Sequence, residues 1–244
     1  MVVHLAANAR VYSLVVNPKL ARDNFEMLFN ILEFCRAHSI KNFLFSSSRE
    51  VYGNSNLATH SETEADISCC ESPYTATKIG GEALIHAYHR CYGINFIITR
   101  FSNVYGMYDD SDRVIPLFIR LTENNQDLIV YGKDKLLDFT YIDDTVGGVI
   151  KCIEKFPEVK NNVFNIASGR SVSITDVANL IRKSMNGNNP VVLRENRTGE
   201  VTRSVIDITK AKKHLEYKPE ISIEQGIAQT ITWYQVFNSR LPVV

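Results

Sequence analysis

Apolar and polar positions along the first half of the chain predict strands and helices in alternation. Short apolar runs predict strands at 1–7, 42–46 and 95–100. Apolar residues at helical spacing predict a helix over 18–38, and a Ser-Pro start predicts another over 73–91. Strands that alternate with helices are typical of an α/β protein with a parallel sheet.

The second half of the chain has shorter and less regular segments. The pattern predicts helices over 115–122, 143–154, 174–185 and 223–237. It predicts strands over 128–131 and 162–166, and a polar loop with strand-like ends over 190–207. We therefore expect an irregular lobe interleaved with the sheet.

Composition narrows the possible ligands and locations. The chain has 244 residues, of which 45% are hydrophobic and 22% charged, as in ordinary globular proteins. Lys plus Arg equals Asp plus Glu at 27 each, so no net charge attracts nucleic acid or an anionic membrane. No apolar run has a membrane span's length, no signal peptide is evident, and the five cysteines lack metal-ligand spacing. We expect a cytoplasmic protein with reduced thiols, no metal and a small ligand.

The pair Tyr74 and Lys78 is the strongest chemical signal in the chain. Residues four apart on a helix share one face, so the lysine charge could favour the phenolate and make Tyr74 an acid or base. An isolated pair of this kind is more often a core-edge tyrosine beside a solvated lysine. Here the pair follows a serine run at 46–48, which favours the chemical interpretation.

A family resemblance rests on six stretches that occur in the family's order. They are HLAA at 4–7, FSSSREVYG at 45–53, SPYTATK at 72–78, RFSNVYG at 100–106, DFTYIDD at 138–144 and RTGE at 197–200. In these stretches the chain resembles the NAD-dependent nucleotide-sugar epimerases and dehydratases of the extended short-chain dehydrogenase/reductase superfamily, typified by UDP-glucose 4-epimerase. The resemblance implies a Rossmann-type doubly wound parallel sheet, truncated at its N-terminus, with a smaller C-terminal α/β lobe.

The resemblance also implies roles for single residues. Tyr74 is expected to be the catalytic acid/base, Lys78 to hold the nicotinamide ribose and lower the tyrosine pKa, and Ser48 to hydrogen-bond the sugar hydroxyl that is oxidised. The residues expected to bind NAD are Ala6, Ala7, Asn24, Ser46, Ser47, Phe101 and Val104, together with Tyr74 and Lys78. Those expected to bind the sugar nucleotide are Ser48, Asn103, Tyr131, Arg197 and Glu200. The alternatives are a turn role for Ser48 and an unpartnered surface position for Arg197.

Domain boundaries and assembly follow from the same resemblance. Residues 1–106, with 138–168 returning to them, are expected to form a partial NAD-binding domain. Residues 107–137 and 169–244 are expected to form mainly the sugar-nucleotide lobe. A homodimer is expected through the helix from Pro73, whose outer positions are Ala83, Leu84, Ala87 and Tyr88. The alternative is that this face packs within the chain.

The chain departs from the family first by an absence. The family opens with a Gly-x-x-Gly-x-x-Gly loop that receives the cofactor pyrophosphate, and the twelve glycines here include no such loop. Met1 falls where the fourth strand is expected, so roughly 60 residues, or two βαβ steps, are expected to be missing. An apolar strand edge should then be uncovered. An incomplete copy of a larger enzyme is the favoured explanation, over a covering partner or a loss of cofactor binding.

The second departure concerns the sugar diphosphate. Many relatives have an arginine directly before the Asp-Phe/Tyr pair, where it grips a phosphate. Here Leu137 precedes Asp138, in a loop that is also a residue shorter. Diphosphate binding should therefore depend more on Arg197, with Arg203 as a further candidate.

Glu50 leaves the reaction open. A carboxylate two positions after the catalytic serine could take a proton alpha to a 4-keto group, as elimination requires. Dehydratases have an acid before that glutamate, whereas this chain has Arg49, and a surface ion pair between the two is equally open. We expect a UDP-sugar 4-epimerase that works through a 4-keto intermediate on NAD. The alternatives are a dehydratase or UDP-glucuronate decarboxylase that uses Glu50, and a non-catalytic binding or scaffold relative.

Overall fold

The computed structural model describes residues 1–55, 57 and 59–238 of the chain. Its strands are β1 (Val2–His4), β2 (Asn42–Ser48), β3 (Asn95–Phe101), β4 (Asn103–Tyr105), β5 (Leu128–Tyr131), β6 (Leu136–Tyr141), β7 (Asn162–Ile166), β8 (Ser171–Ser173) and β9 (Val191–Arg194). Its helices are α1 (Val11–Val16), α2 (Lys19–Ala37), α3 (Pro73–Tyr92), α4 (Val114–Glu123), α5 (Ile142–Glu154), α6 (Phe156–Val159), α7 (Ile174–Ser184), α8 (Thr209–Leu215) and α9 (Ile223–Asn238). Residues 239–244, which the lobe prediction included, lie outside the described residues.

A four-stranded parallel sheet, in the order β1-β2-β3-β7, forms the centre of the first half. Successive side chains of a strand face opposite sides of a sheet. In β2, Phe43 and Phe45 pack with α2 and α3, whereas Leu44 packs with Cys152 of α5 and Leu215 of α8. Both faces of the sheet are therefore covered by helices, and the predicted α/β class with a doubly wound parallel sheet is confirmed.

The second half builds a separate core beside the sheet. Its strands form a three-stranded sheet, β4-β6-β8, and a parallel pair, β5-β9. Helices α4, α7 and α9 pack on these strands through buried residues such as Phe118, Ile181 and Ile231. The two cores meet where β3 leads directly into β4.

Strand β1 lies at the edge of the parallel sheet, where it pairs with β2 alone among the described strands. Val3 and Leu5 are both exposed there. The described part of the chain therefore leaves an apolar strand edge uncovered, as the sequence predicts.

Several short elements were missing from the sequence prediction, which had located the long ones. Strand β6 is the clearest case, because its polar residues Asp138 and Thr140 are completely buried. Asp138 accepts hydrogen bonds from the backbone N–H groups of Ser168 (2.9 Å) and Gly169 (2.8 Å). These partners lie far away in sequence, so no local pattern marks Asp138 as an interior residue.

Candidate active site

Local sequence signals place the tyrosine at the carboxyl edge of the parallel sheet. The Ser72 hydroxyl accepts a hydrogen bond from the Thr75 N–H at 3.1 Å and so caps α3, and Pro73 fits the first turn because it has no N–H to satisfy. Tyr74 therefore sits in the first turn of α3. Ser48, the last residue of β2, lies next to it.

Tyr74 is buried, and this burial controls its proton affinity. Burial raises the pKa of Tyr74 to about 12, because a phenolate is poorly solvated there. The neighbouring Ser48 hydroxyl opposes this rise in pKa, while the Glu50 carboxylate adds to it. Near neutral pH, Tyr74 is therefore a neutral phenol in this structure.

Lys78 lies one turn further along α3, with only 4% of its surface exposed. Its ammonium donates a hydrogen bond to the Ser46 carbonyl at 2.8 Å and lies 5.6 Å from the centre of the Tyr74 ring. Burial lowers the pKa of Lys78 to about 8. The cations that lower the Tyr74 pKa most are Arg113 and Arg49, so the expected effect of Lys78 on that pKa is not evident here.

The residues expected near NAD divide into those that face the crevice and those that brace it. Ala6 is exposed and Ala7 half-buried just after β1. The Asn24 side chain accepts from the Asn8 N–H at 2.7 Å and donates to the Asn8 carbonyl at 3.1 Å. Asn24, in the second turn of α2, therefore fixes the loop after β1.

Ser47 is directed away from the tyrosine. Its hydroxyl donates to Glu82 at 2.5 Å, and the same carboxylate accepts from Arg100 Nε at 3.0 Å and Nη2 at 2.7 Å. The Ser47 hydroxyl thus supports the buried ion pair between Glu82 and Arg100. Phe101 packs against the core on the α5 and α8 side of the sheet, and Val104 of β4 pairs with Thr140 of β6. The cofactor contacts of Phe101 and Val104 stay predictions.

Arg49 and Glu50 form an ion pair that is buried, so the alternative of a pair at the surface is wrong. Arg49 Nη2 lies 2.7 Å from Glu50 Oε1 and donates to the Asn103 amide oxygen at 3.3 Å. Arg49 Nη1 and Glu50 Oε2 have no hydrogen-bond partner among the described residues. Burial raises the pKa of Glu50, and the Arg49 charge opposes that rise.

Apart from Ser48, the residues expected to bind the sugar nucleotide lie in β4, in β5 and in the loop that follows β9. Asn103 donates to the Asp138 carbonyl at 2.7 Å. Arg197 stacks on the Tyr131 ring, 3.8 Å from its centre, and lies 4.0 Å from Glu200. Glu200 also pairs with the buried Lys135 at 2.5 Å.

The structure also clarifies the departure at position 137. Leu137 is buried in the lobe core, so no cation occupies that position. A cavity of about 440 Å³ lies nearby, and Lys135 and Arg203 are among the residues that line it. Three residues that contact the expected site residues were not predicted to do so from the sequence. They are Lys135, which pairs with Glu200, Arg49, which donates to Asn103, and Tyr12, which contacts Arg197.

The structure also bears on membrane-spanning and metal-binding proteins. None of the helices in the described part of the chain has the length and apolar character needed to cross a membrane. Within the same residues, His, Cys, Asp and Glu form no group of three or more suited to a metal ion.

Comparison with known proteins gives consistent results. The family model for GDP-mannose 4,6-dehydratase matches residues 1–230. A putative UDP-glucose 4-epimerase from Methanocaldococcus jannaschii is 34% identical over 244 residues, which cover 98% of this chain and 78% of that protein.

Solved structures with the same fold include an epimerase and a dehydratase. UDP-glucuronic acid 4-epimerase from Bacillus cereus, in complex with UDP-glucuronic acid and NAD, has a TM-score of 0.89 at 28% identity, covering 96% of this chain and 76% of that one. DesIV, a dTDP-glucose 4,6-dehydratase from Streptomyces venezuelae with NAD bound, has a TM-score of 0.90 at 25% identity, covering 97% and 73%. The resemblance seen in the sequence is thereby confirmed, and the chain belongs to the extended short-chain dehydrogenase/reductase family of nucleotide-sugar epimerases and dehydratases.

Proposed function

We propose that this chain is an NAD-dependent UDP-sugar 4-epimerase that works through a 4-keto intermediate. One observation carries the proposal: Ser48, Tyr74 and the buried Lys78 ammonium lie together at the carboxyl edge of a parallel sheet. Ligands of open α/β sheets bind at this edge. The epimerase relatives support a UDP-sugar as the substrate.

The residues present fit NAD on the nicotinamide side. The Lys78 ammonium has three N–H groups, and the Ser46 carbonyl uses one of them. The other two suit ribose hydroxyls in a desolvated pocket. Ala6 and Ala7 offer small side chains where a cofactor passes close to the backbone. When bound, NAD accepts a hydride from the sugar carbon and returns it.

Tyr74 and Ser48 would handle the proton that accompanies the hydride. Removing hydride from C4 requires the 4-hydroxyl proton to leave, and the Tyr74 oxygen is the acceptor. Ser48 orients that hydroxyl from the end of β2. Because burial raises the pKa of Tyr74, a positive charge close to the tyrosine is needed to stabilise the phenolate. We assign this role to the Lys78 ammonium, which lies on the same helix face.

The lobe would hold the nucleotide part of the substrate. Arg197 supplies a permanent cation for the diphosphate, and Asn103 supplies an amide donor. We retain the sequence-based division as part of the proposal, with the cofactor on residues 1–106 and 138–168 and the sugar nucleotide mainly on the remaining segments.

A dehydratase or decarboxylase is the second candidate, and Glu50 favours it. The Glu50 carboxylate is buried close enough to Tyr74 to raise the tyrosine pKa, and its Oε2 has no hydrogen-bond partner in the described part of the chain. Such a group could remove a proton alpha to a 4-keto sugar. The ion pair with Arg49 opposes this role, because it holds the other carboxylate oxygen.

A UDP-sugar panel with product analysis by NMR tests the proposal. We expect NAD to bind the full chain and C4 epimers to form, and Tyr74→Phe to lower kcat by about 10²- to 10⁴-fold. Tyr92→Phe, on the exposed end of the same helix, is the matched control and should leave kcat unchanged. A 4-keto-6-deoxy or decarboxylated product that depends on Glu50 would favour the second candidate. A chain that binds sugar nucleotides, does not bind NAD and turns over no UDP-sugar would favour the non-catalytic alternative.

A homodimer through α2 and α3 is part of the proposal. Ala83 and Ala87 point outward from α3, and Phe25 and Phe29 are exposed on the neighbouring α2. Tyr88 does not belong to this surface, because it is buried and donates to Glu33 at 2.6 Å. Sedimentation should give the mass of two chains, and a monomer would contradict the dimer.

A further inference from the structure

Two aromatic rings from different halves of the chain contact the Arg197 guanidinium. The centre of its guanidinium is 3.8 Å from the centre of the Tyr131 ring in β5 and 4.8 Å from that of Tyr12 in α1. Its side chain is 35% exposed, and it makes no hydrogen bond to another described residue. The Glu200 carboxylate is 4.0 Å away, at the limit of an ion pair.

A guanidinium in contact with aromatic rings can still donate hydrogen bonds to an anion. Aromatic rings contact the flat faces of a guanidinium, whereas its N–H donors lie in the plane. An unrestrained arginine loses rotamer entropy when a ligand fixes it. Two rings that already contact the guanidinium reduce that loss, and no hydrogen bond to another described residue occupies its N–H donors.

Tyr12 reaches Arg197 because α1 is attached to the lobe at two further points. Arg10 forms an ion pair with Asp112 at 2.9 Å. Val15 lies so close to Gly199 that a Cβ atom at that glycine would be 2.9 Å from its methyl carbon. Helix α1 follows β1 of the parallel sheet, so it connects the cofactor side of the crevice to the loop that carries Arg197.

We propose that Tyr12 is a positioning residue for the substrate diphosphate, acting through the stack that orients Arg197. The inference depends on the proposed function, in which Arg197 binds the diphosphate. In this role Tyr12 acts on the orientation of Arg197, and we assign it no contact with the reacting carbon or the nicotinamide. Replacing Tyr12 should therefore change the affinity for the sugar nucleotide and leave the rate of the chemical step unchanged.

Binding of UDP to the full chain, measured by calorimetry, is the first test. Tyr12→Ala should raise the Kd for UDP and the KM for the UDP-sugar by about 2- to 5-fold, the range of an exposed cation–π contact, with kcat within about 1.5-fold. Tyr12→Phe keeps the ring and should restore wild-type binding. Tyr12→Leu keeps an apolar side chain without the ring and should behave like Tyr12→Ala, provided that both unfold at the wild-type temperature.

Tyr92→Ala is the matched control. Tyr92 is also an exposed tyrosine under an arginine, with Arg36 at 5.4 Å from its ring, but it lies at the far end of α3. It should leave both constants unchanged. If Tyr12→Leu binds UDP as the wild type does while Arg197→Ala loses binding, the Tyr12 inference is wrong and the proposed function survives.

Two further outcomes separate the inference from the function. If Arg197→Ala binds UDP normally, the diphosphate assignment itself fails. In the Arg197→Ala background, Tyr12→Ala should add no further loss of binding, because its effect passes through the arginine. Additive losses would mean that Tyr12 acts on the fold or on the ligand directly, and would overturn the proposal.

Discussion

Replacing Lys78 by methionine should abolish turnover and yet make the folded chain more stable. The ammonium is buried, and its pKa falls from 10.5 to about 8. At about 1.4 kcal/mol for each pKa unit, this burial costs the folded state about 3 kcal/mol at pH 7. Methionine removes that cost but also removes the hydrogen bond to the Ser46 carbonyl, worth about 1 kcal/mol. The expected gain for Lys78→Met is therefore about 2 kcal/mol at pH 7.

The pH dependence gives this prediction its sign. Below about pH 8 the amine is protonated in both the folded and unfolded states, so the full cost is present. Between about pH 8 and 10.5 the unfolded chain binds more protons, and wild-type stability therefore rises with pH relative to the variant. By pH 10 the advantage of Lys78→Met should have shrunk to about zero.

Urea denaturation of both proteins at pH 7 and pH 10, with no nucleotide added, measures this difference. Lys213→Met, at an exposed lysine of α8, is the matched control and should show no change of this size at either pH. The reasoning would be refuted by a Lys78→Met protein that is less stable than wild type at pH 7. A stability difference that does not change with pH would refute it equally.

Three other substitutions test the framework around the site. Glu82→Gln should destabilise the chain by about 3–5 kcal/mol in urea denaturation, because it leaves the buried Arg100 guanidinium without its carboxylate; a loss below about 1 kcal/mol would contradict this. Ser72→Ala should remove about 1 kcal/mol through the lost cap of α3, and an unchanged midpoint would speak against the cap. Gly199→Ala should destabilise by about 1–3 kcal/mol and weaken UDP binding, since the residue has a φ of +80° and lies against Val15; wild-type binding would show that this approach is not required.

Local signals in the sequence were enough for the long elements and for the catalytic pair. Helix α3 begins at a Ser-Pro start, and its periodicity places Tyr74 and Lys78 on one face whatever the rest of the chain does. Apolar runs identified β2 and β3, because both faces of a parallel strand are buried. The order of the motifs was then sufficient to identify the family.

Only the tertiary structure decided the environment of these groups. Arg49 and Glu50 look like a surface pair in sequence, but the packing of the chain around the end of β2 buries both of them. Tyr12 and Arg197 meet because α1 and the 195–200 loop come together across the crevice, a contact between distant segments that no local pattern encodes. Burial likewise sets the pKa values of Tyr74 and Lys78, since desolvation depends on every element packed around a group rather than on its neighbours in the chain.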